Sequence, residues 1–94
     1  MATFIMAMTI NPSAKKMHAD LSNQVNNSLE VFALNNIRLT SLFATLGRYD
    51  YLAIFEALDQ TVAFRVASMI NSKGILETET WPVIPYDEFS RLIL

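Results

Sequence analysis

Residues 3–9 (TFIMAMT) read as a β-strand with no polar side. Side chains alternate between the two faces of an extended chain. Phe4, Met6 and Met8 therefore share one face, and Ile5 and Ala7 share the other. A strand of this kind must be covered on both faces. Helices from the same chain can cover one side of a small sheet, but 94 residues leave little chain for the second. Composition sharpens the problem. Hydrophobic residues make up 52% of the chain and charged ones 17%, against about 25% charged in an average domain. The excess apolar surface points to burial against a partner chain.

The pattern changes period along the sequence. Asn11 followed by Pro12 is a helix start, with an Asn cap and Pro at the first helical position. From there to about residue 33, Met17, Leu21, Val25, Leu29 and Phe32 recur every three or four positions, which predicts one amphipathic helix. Asn35 and Asn36 stop it, since Asn tolerates the left-handed conformation. Residues 37–46 alternate loosely, with Ile37, Leu39, Ser41, Phe43 and Thr45 on one face. Gly47 and Arg48 suggest a type II′ hairpin into a returning strand at 49–56. There Tyr49, Tyr51, Ala53 and Phe55 oppose Asp50, Leu52, Ile54 and Glu56. Asp59 caps a second helix that Gly74 ends. Residues 75–83 form a last strand, with Pro82 placing it at an edge or an end. Pro85 opens a short helix whose Phe89, Leu92 and Ile93 are expected to fold back on the domain.

The order strand, helix, strand, strand, helix, strand, short helix predicts an α+β fold. It is the ferredoxin-like βαββαβ sandwich, formed by residues 1–94 as one domain. Both helices cover one face of a four-stranded antiparallel sheet, and the other face stays open and apolar. An open apolar face implies a ligand surface or another subunit, and symmetric self-association is the common solution.

The hairpin Thr45-Leu46-Gly47-Arg48-Tyr49-Asp50 carries a Gly, Tyr, Asp signature at Gly47, Tyr49 and Asp50. With the run TLGRYDYLAIFEA before the second helix and ILETETWPVIPYDEF after it, the chain resembles the GYD domain family. That resemblance implies the dimeric α+β barrel superfamily, in which ferredoxin-like domains pair their sheets into a barrel. Its branches include haem-degrading and cofactor-free monooxygenases, muconolactone isomerase and chlorite dismutase. The resemblance implies a fold more than an activity.

Candidate chemistry is sparse. His18 is the single histidine, at the edge of the helix stripe, where it is either a surface residue or a ligand or base near a cavity. Phe43, Tyr51 and Phe55 are candidates to line a barrel interior and, with His18 and Trp81, make the ligand-cavity set; as aromatics they suit a core or subunit interface equally well. Asp50 is read mainly as an acceptor of backbone N–H groups that fixes the turn. Glu77 and Glu79 share a strand face and read as a solvated rim or an intersubunit ion pair.

The sequence has no cysteine, which removes disulfides, thiolate metal sites and a thiol nucleophile and fits a cytoplasmic protein. It has no Gly-rich phosphate loop, dinucleotide fingerprint or nucleophile elbow, so no cofactor and no metal site is expected. The net charge of -2, without a basic patch, argues against nucleic acid. No apolar run approaches the length needed to span a bilayer. The resulting expectation is a homo-oligomeric α+β barrel acting as a structural or interaction module, joined through the open sheet face, with a small apolar ligand possible. The alternative is a small-molecule or cofactor-binding oxidoreductase of monooxygenase type, so whether the chain is an enzyme stays open.

Overall fold

The computed structural model describes residues 1–17 and 20–93. Its elements run β1 (Ala2–Ile10), α1 (Pro12–Met17), α2 (Leu21–Leu34), β2 (Arg38–Ala44), β3 (Tyr51–Ala57), α3 (Gln60–Ser72), β4 (Leu76–Val83) and α4 (Tyr86–Ile93). The four strands form one antiparallel sheet in the order β2-β3-β1-β4. The strand with apolar residues on both faces, β1, sits inside the sheet between β3 and β4. The α+β class and the single four-stranded antiparallel sheet are as the patterning predicts.

The barrel is not. β2 and β4 are free edges at opposite sides of the sheet, and the sheet does not close on itself. The barrel that the GYD resemblance implies is therefore corrected to an open, single-layer sheet. The expected function is corrected with it: the barrel-cored module loses its architecture, and so does the monooxygenase-type alternative, whose expected site is a cavity between helix and sheet. The reason is physical. Apolar residues on both strand faces demand cover, but they do not specify that the cover comes from curling the sheet.

Local chemistry explains most element ends. Asn11 accepts the Ser13 N–H through its side chain at 3.0 Å, and Pro12 is the first residue of α1. Asp59 accepts the Val62 N–H at 3.2 Å at the start of α3. Asn36 holds φ 57° after α2, and Gly74 holds φ 78° after α3, the left-handed region that favours these residue types. One helix expected from residue 12 to about 33 is instead two, α1 and α2.

The core lies between α2, α3 and one sheet face. Phe4, Met6 and Met8 of β1 meet Ala53 and Phe55 of β3, Val31 and Phe32 of α2, Val66 and Ile70 of α3, and Leu76 of β4, all buried. Phe55 stacks on Phe4 with ring centroids 5.5 Å apart and takes the edge of Phe32 at 5.2 Å, arrangements that aromatic quadrupoles favour. Buried Ser28 satisfies itself by donating to the Gln24 carbonyl at 3.0 Å.

Candidate functional site

The second sheet face is left without cover by the helices. Register fixes which side chains share it. Phe43 of β2, Leu52 of β3, Ala7 of β1 and Glu79 of β4 form one cross-strand row. Ser41, Ile54, Ile5 and Trp81 form the next, and Arg38, Glu56, Thr3 and Val83 the one after. Ile5, Leu52, Ile54 and Val83 are half-buried by their neighbours, while Phe43 and Trp81 are 52% and 39% exposed. The middle of the face is thus a continuous apolar patch. One end carries Arg38 and Glu56, and the other Glu77 and Glu79.

A β-bulge between Leu39 and Ser41 decides part of this arrangement. Simple alternation puts Phe43 on the same face as Leu39. The extra residue flips the parity, so Leu42 and Ala44 pair in register with the helix-side residues Ala53 and Tyr51, and Phe43 pairs with Leu52 of the open face. Nothing in the alternation of residues 37–46 marks the bulge.

The Gly47, Tyr49 and Asp50 signature lies in the segment between β2 and β3, a longer loop than the type II′ turn expected. Gly47 lacks the positive φ that turn requires. The loop is tied to two other strands. Asp50 accepts the Ile10 backbone N–H through Oδ2 at 2.8 Å, and its own N–H donates to the Met8 carbonyl at 2.8 Å. Thr45 N–H donates to the Asp50 carbonyl at 2.9 Å, and the Thr45 hydroxyl to the Tyr49 carbonyl. The Tyr49 hydroxyl donates to Glu79 on β4. That hydrogen bond pushes the Tyr49 pKa up, helped by desolvation and by the charge of Glu79, while Arg48 opposes it. The signature therefore fastens the loop across the end of β1 and onto β4. Asp50 accepts a backbone donor as expected, but on β1 rather than inside the turn. The Tyr49–Glu79 link spans residues 30 apart in sequence, and only the strand order brings them together.

Among the described residues, grooves flank the sheet on both sides. Between α2 and β2 lies one of about 460 Å³, lined by Leu21, Val25, Leu29, Leu42, Phe43 and Tyr51 with Ser22 and Asn26 at its rim. Between α3 and β4 lies one of about 380 Å³ over Phe4, Ala67 and Pro82, with Phe64, Thr78 and Thr80 among its walls. Asn71 closes one end by donating to the Thr78 hydroxyl at 3.0 Å and accepting its N–H at 2.9 Å. The buried Thr80 Oγ1 has no hydrogen-bond partner among the described residues.

The ligand-cavity candidates scatter over this geometry. Phe43 and Tyr51 meet in the α2–β2 groove. Phe55 is 0% exposed in the core. Trp81 lies on the open face, and His18 falls outside the described residues. Among the described residues no group of three or more His, Asp or Glu side chains converges to hold a metal ion, and no helix is long and apolar enough to cross a membrane.

Solved structures share the fold at low sequence identity. Prephenate dehydratase from Streptococcus mutans is 19% identical, with a TM-score of 0.58 over 83% of this chain and 40% of that one. A feast or famine regulatory protein from M. tuberculosis, complexed with L-methionine, is 10% identical, with a TM-score of 0.63 over 90% of this chain and 51% of that one. Prephenate dehydratase from Staphylococcus aureus subsp. aureus Mu50 is 19% identical, with a TM-score of 0.61 over 84% and 28%. The chain spans about half or less of the length of each. No curated protein matches it in sequence. The model of the GYD domain matches residues 4–93, nearly the whole chain, and the chain belongs to the GYD domain family.

Proposed function

We propose that this chain works by association rather than catalysis, and that its open sheet face takes a second copy of itself. The observation that carries this is the apolar patch of Ile5, Leu52, Ile54, Phe43 and Trp81, bordered at both ends by charge. An apolar centre with a polar rim is the anatomy of a protein interface, and a self-complementary patch closes as a two-fold dimer. The two sheets stack as separate layers about 10 Å apart, each remaining open. The absence of cysteine supports a cytoplasmic setting for such an assembly.

Analytical ultracentrifugation at micromolar concentration tests this reading, with a dimer as the expected species. Ile54→Asp places a carboxylate at the centre of the patch and should shift the protein to monomer while leaving its circular dichroism unchanged. A monomeric wild-type protein overturns the reading.

The α3–β4 groove supports a second, compatible reading, the binding of a small ligand. Its specific support is the unpartnered Thr80 hydroxyl beside an apolar floor of Phe4, Ala67 and Pro82. No charged side chain lines the groove, so its chemistry suits a neutral molecule better than a zwitterion such as L-methionine, the ligand of the similar regulatory protein. Benzyl alcohol should perturb the NMR signals of Ala67, Thr78 and Thr80 more than L-methionine does; equal or absent perturbation removes this reading.

A further inference from the structure

The helix α4 is eight residues long and has no buried residue. Phe89, Leu92 and Ile93 are 46%, 72% and 66% exposed, and with Tyr86 they form one continuous stripe. Asp87 and Arg91 lie on the opposite side of the helix. An isolated helix shorter than about 12–15 residues is marginal in water, so a helix this short needs a surface for its apolar face. Its own domain does not supply one. The radius of gyration is 14.4 Å, where a compact chain of this length has about 12 Å, and the long dimension is 52 Å.

Area gives a second reason to look to a neighbour. Four strands of seven to nine residues at ~4.8 Å spacing present only ~500 Å² in plan. A stable interface needs about 800 Å² per partner. Sheet pairing alone falls short, and reciprocal docking of two helices narrows the gap.

A two-fold axis parallel to the strands gives α4 a destination. The sheet order is β2-β3-β1-β4. When two such sheets face each other about a two-fold axis parallel to the strands, β4 of one copy lies over β2 of the other. The register puts Val83, the last residue of β4, in the same row as Arg38, the first residue of β2. Only Ile84 and Pro85 separate β4 from α4. The acidic first turn of α4, Asp87 and Glu88, then begins beside the exposed Arg38 of the second copy. The apolar groove between α2 and β2 lies on that same edge, with Val25, Leu29 and Leu42 in its lining.

We propose that α4 is an exchanged arm: its Phe89, Leu92 and Ile93 seat in the α2–β2 groove of a second copy, and Glu88, at the flank of that stripe, meets that copy's Arg38. The inference rests on the face-pairing reading and adds to it the residues that would fix the register of the pair.

The chain has no cysteine, so introduced thiols are the only ones present. A mixture of Leu92→Cys and Asn26→Cys proteins under mild oxidation should give a disulfide-linked heterodimer, and neither variant alone should cross-link comparably. Arg38→Glu should weaken dimerisation about tenfold, and Glu88→Arg in the same chain should restore it. If the wild-type protein sediments as a dimer but the mixture does not cross-link, the arm is overturned while face pairing stands. If the wild-type protein is a monomer, both fall. If the Leu92→Cys/Asn26→Cys double variant closes as a monomeric species, α4 folds onto its own domain and the proposal fails. Wild-type co-sedimentation with phosphatidylcholine–phosphatidylserine vesicles, abolished by Phe89→Asp, also overturns it by assigning the stripe to lipid.

Discussion

Asp50 and Tyr49 are adjacent and belong to the same signature, yet their bonds differ in kind. The Asp50 carboxylate accepts a half-buried backbone N–H on β1, whereas the Tyr49 hydroxyl makes an exposed contact with Glu79. Losing a charged acceptor for a half-buried donor costs about 1–3 kcal/mol, whereas losing an exposed contact costs little. Asp50→Ala should therefore lower the urea midpoint clearly, and Tyr49→Phe should barely move it. Tyr49 also has a pH signature. Its folded-state pKa is raised, chiefly by the hydrogen bond to Glu79, so the native state holds that proton longer than the unfolded chain does. The contribution is full below the unfolded tyrosine value near 10 and is lost as pH rises through the folded value. Tyrosinate absorbance should show Tyr49 titrating late. Glu79→Gln should move it back towards its ordinary value.

Elements whose ends are set by local chemistry were legible from the sequence. Asn11-Pro12, Asp59, Asn36 and Gly74 mark their boundaries through hydrogen bonds and backbone angles that each residue type favours on its own. The two glycines make this testable. Gly74 has positive φ and Gly47 does not, and neither would bring an added methyl against a neighbour. Gly74→Ala should destabilise by about 1 kcal/mol, and Gly47→Ala should be neutral or slightly stabilising, as read by thermal unfolding. What could not be read depends on neighbours. The bulge that turns Phe43 to the open face arises from pairing with β3. The detachment of α4, expected to fold back, depends on how far it reaches from β4 rather than on its strongly amphipathic sequence. Of the candidate site, the aromatic set was visible but its division among core, open face and groove was not, because residue type does not report which face a strand finally presents.

At the scale of the whole molecule, the sequence shows that the sheet has two apolar faces and leaves open what covers the second. Closure into a barrel and stacking of open layers bury the same residues, so composition and alternation cannot separate them; the free edges at β2 and β4 do. An assembly built on that face has a thermodynamic signature. Folding coupled to association makes stability depend on protein concentration. The melting temperature of the wild-type protein should rise over a hundredfold increase in concentration, and that of Ile54→Asp should stay constant.

The free edges have one more consequence. An unpaired strand is a template for end-on growth into fibres unless something spoils it. Here both are spoiled. Pro82 cannot donate from β4, where Glu77 and Glu79 also place repelling charges, and the bulge beside Leu39 breaks the regular rhythm of β2. Sideways accretion is therefore blocked while face-on contact stays available, which steers the protein towards a finite particle instead of an endless ribbon.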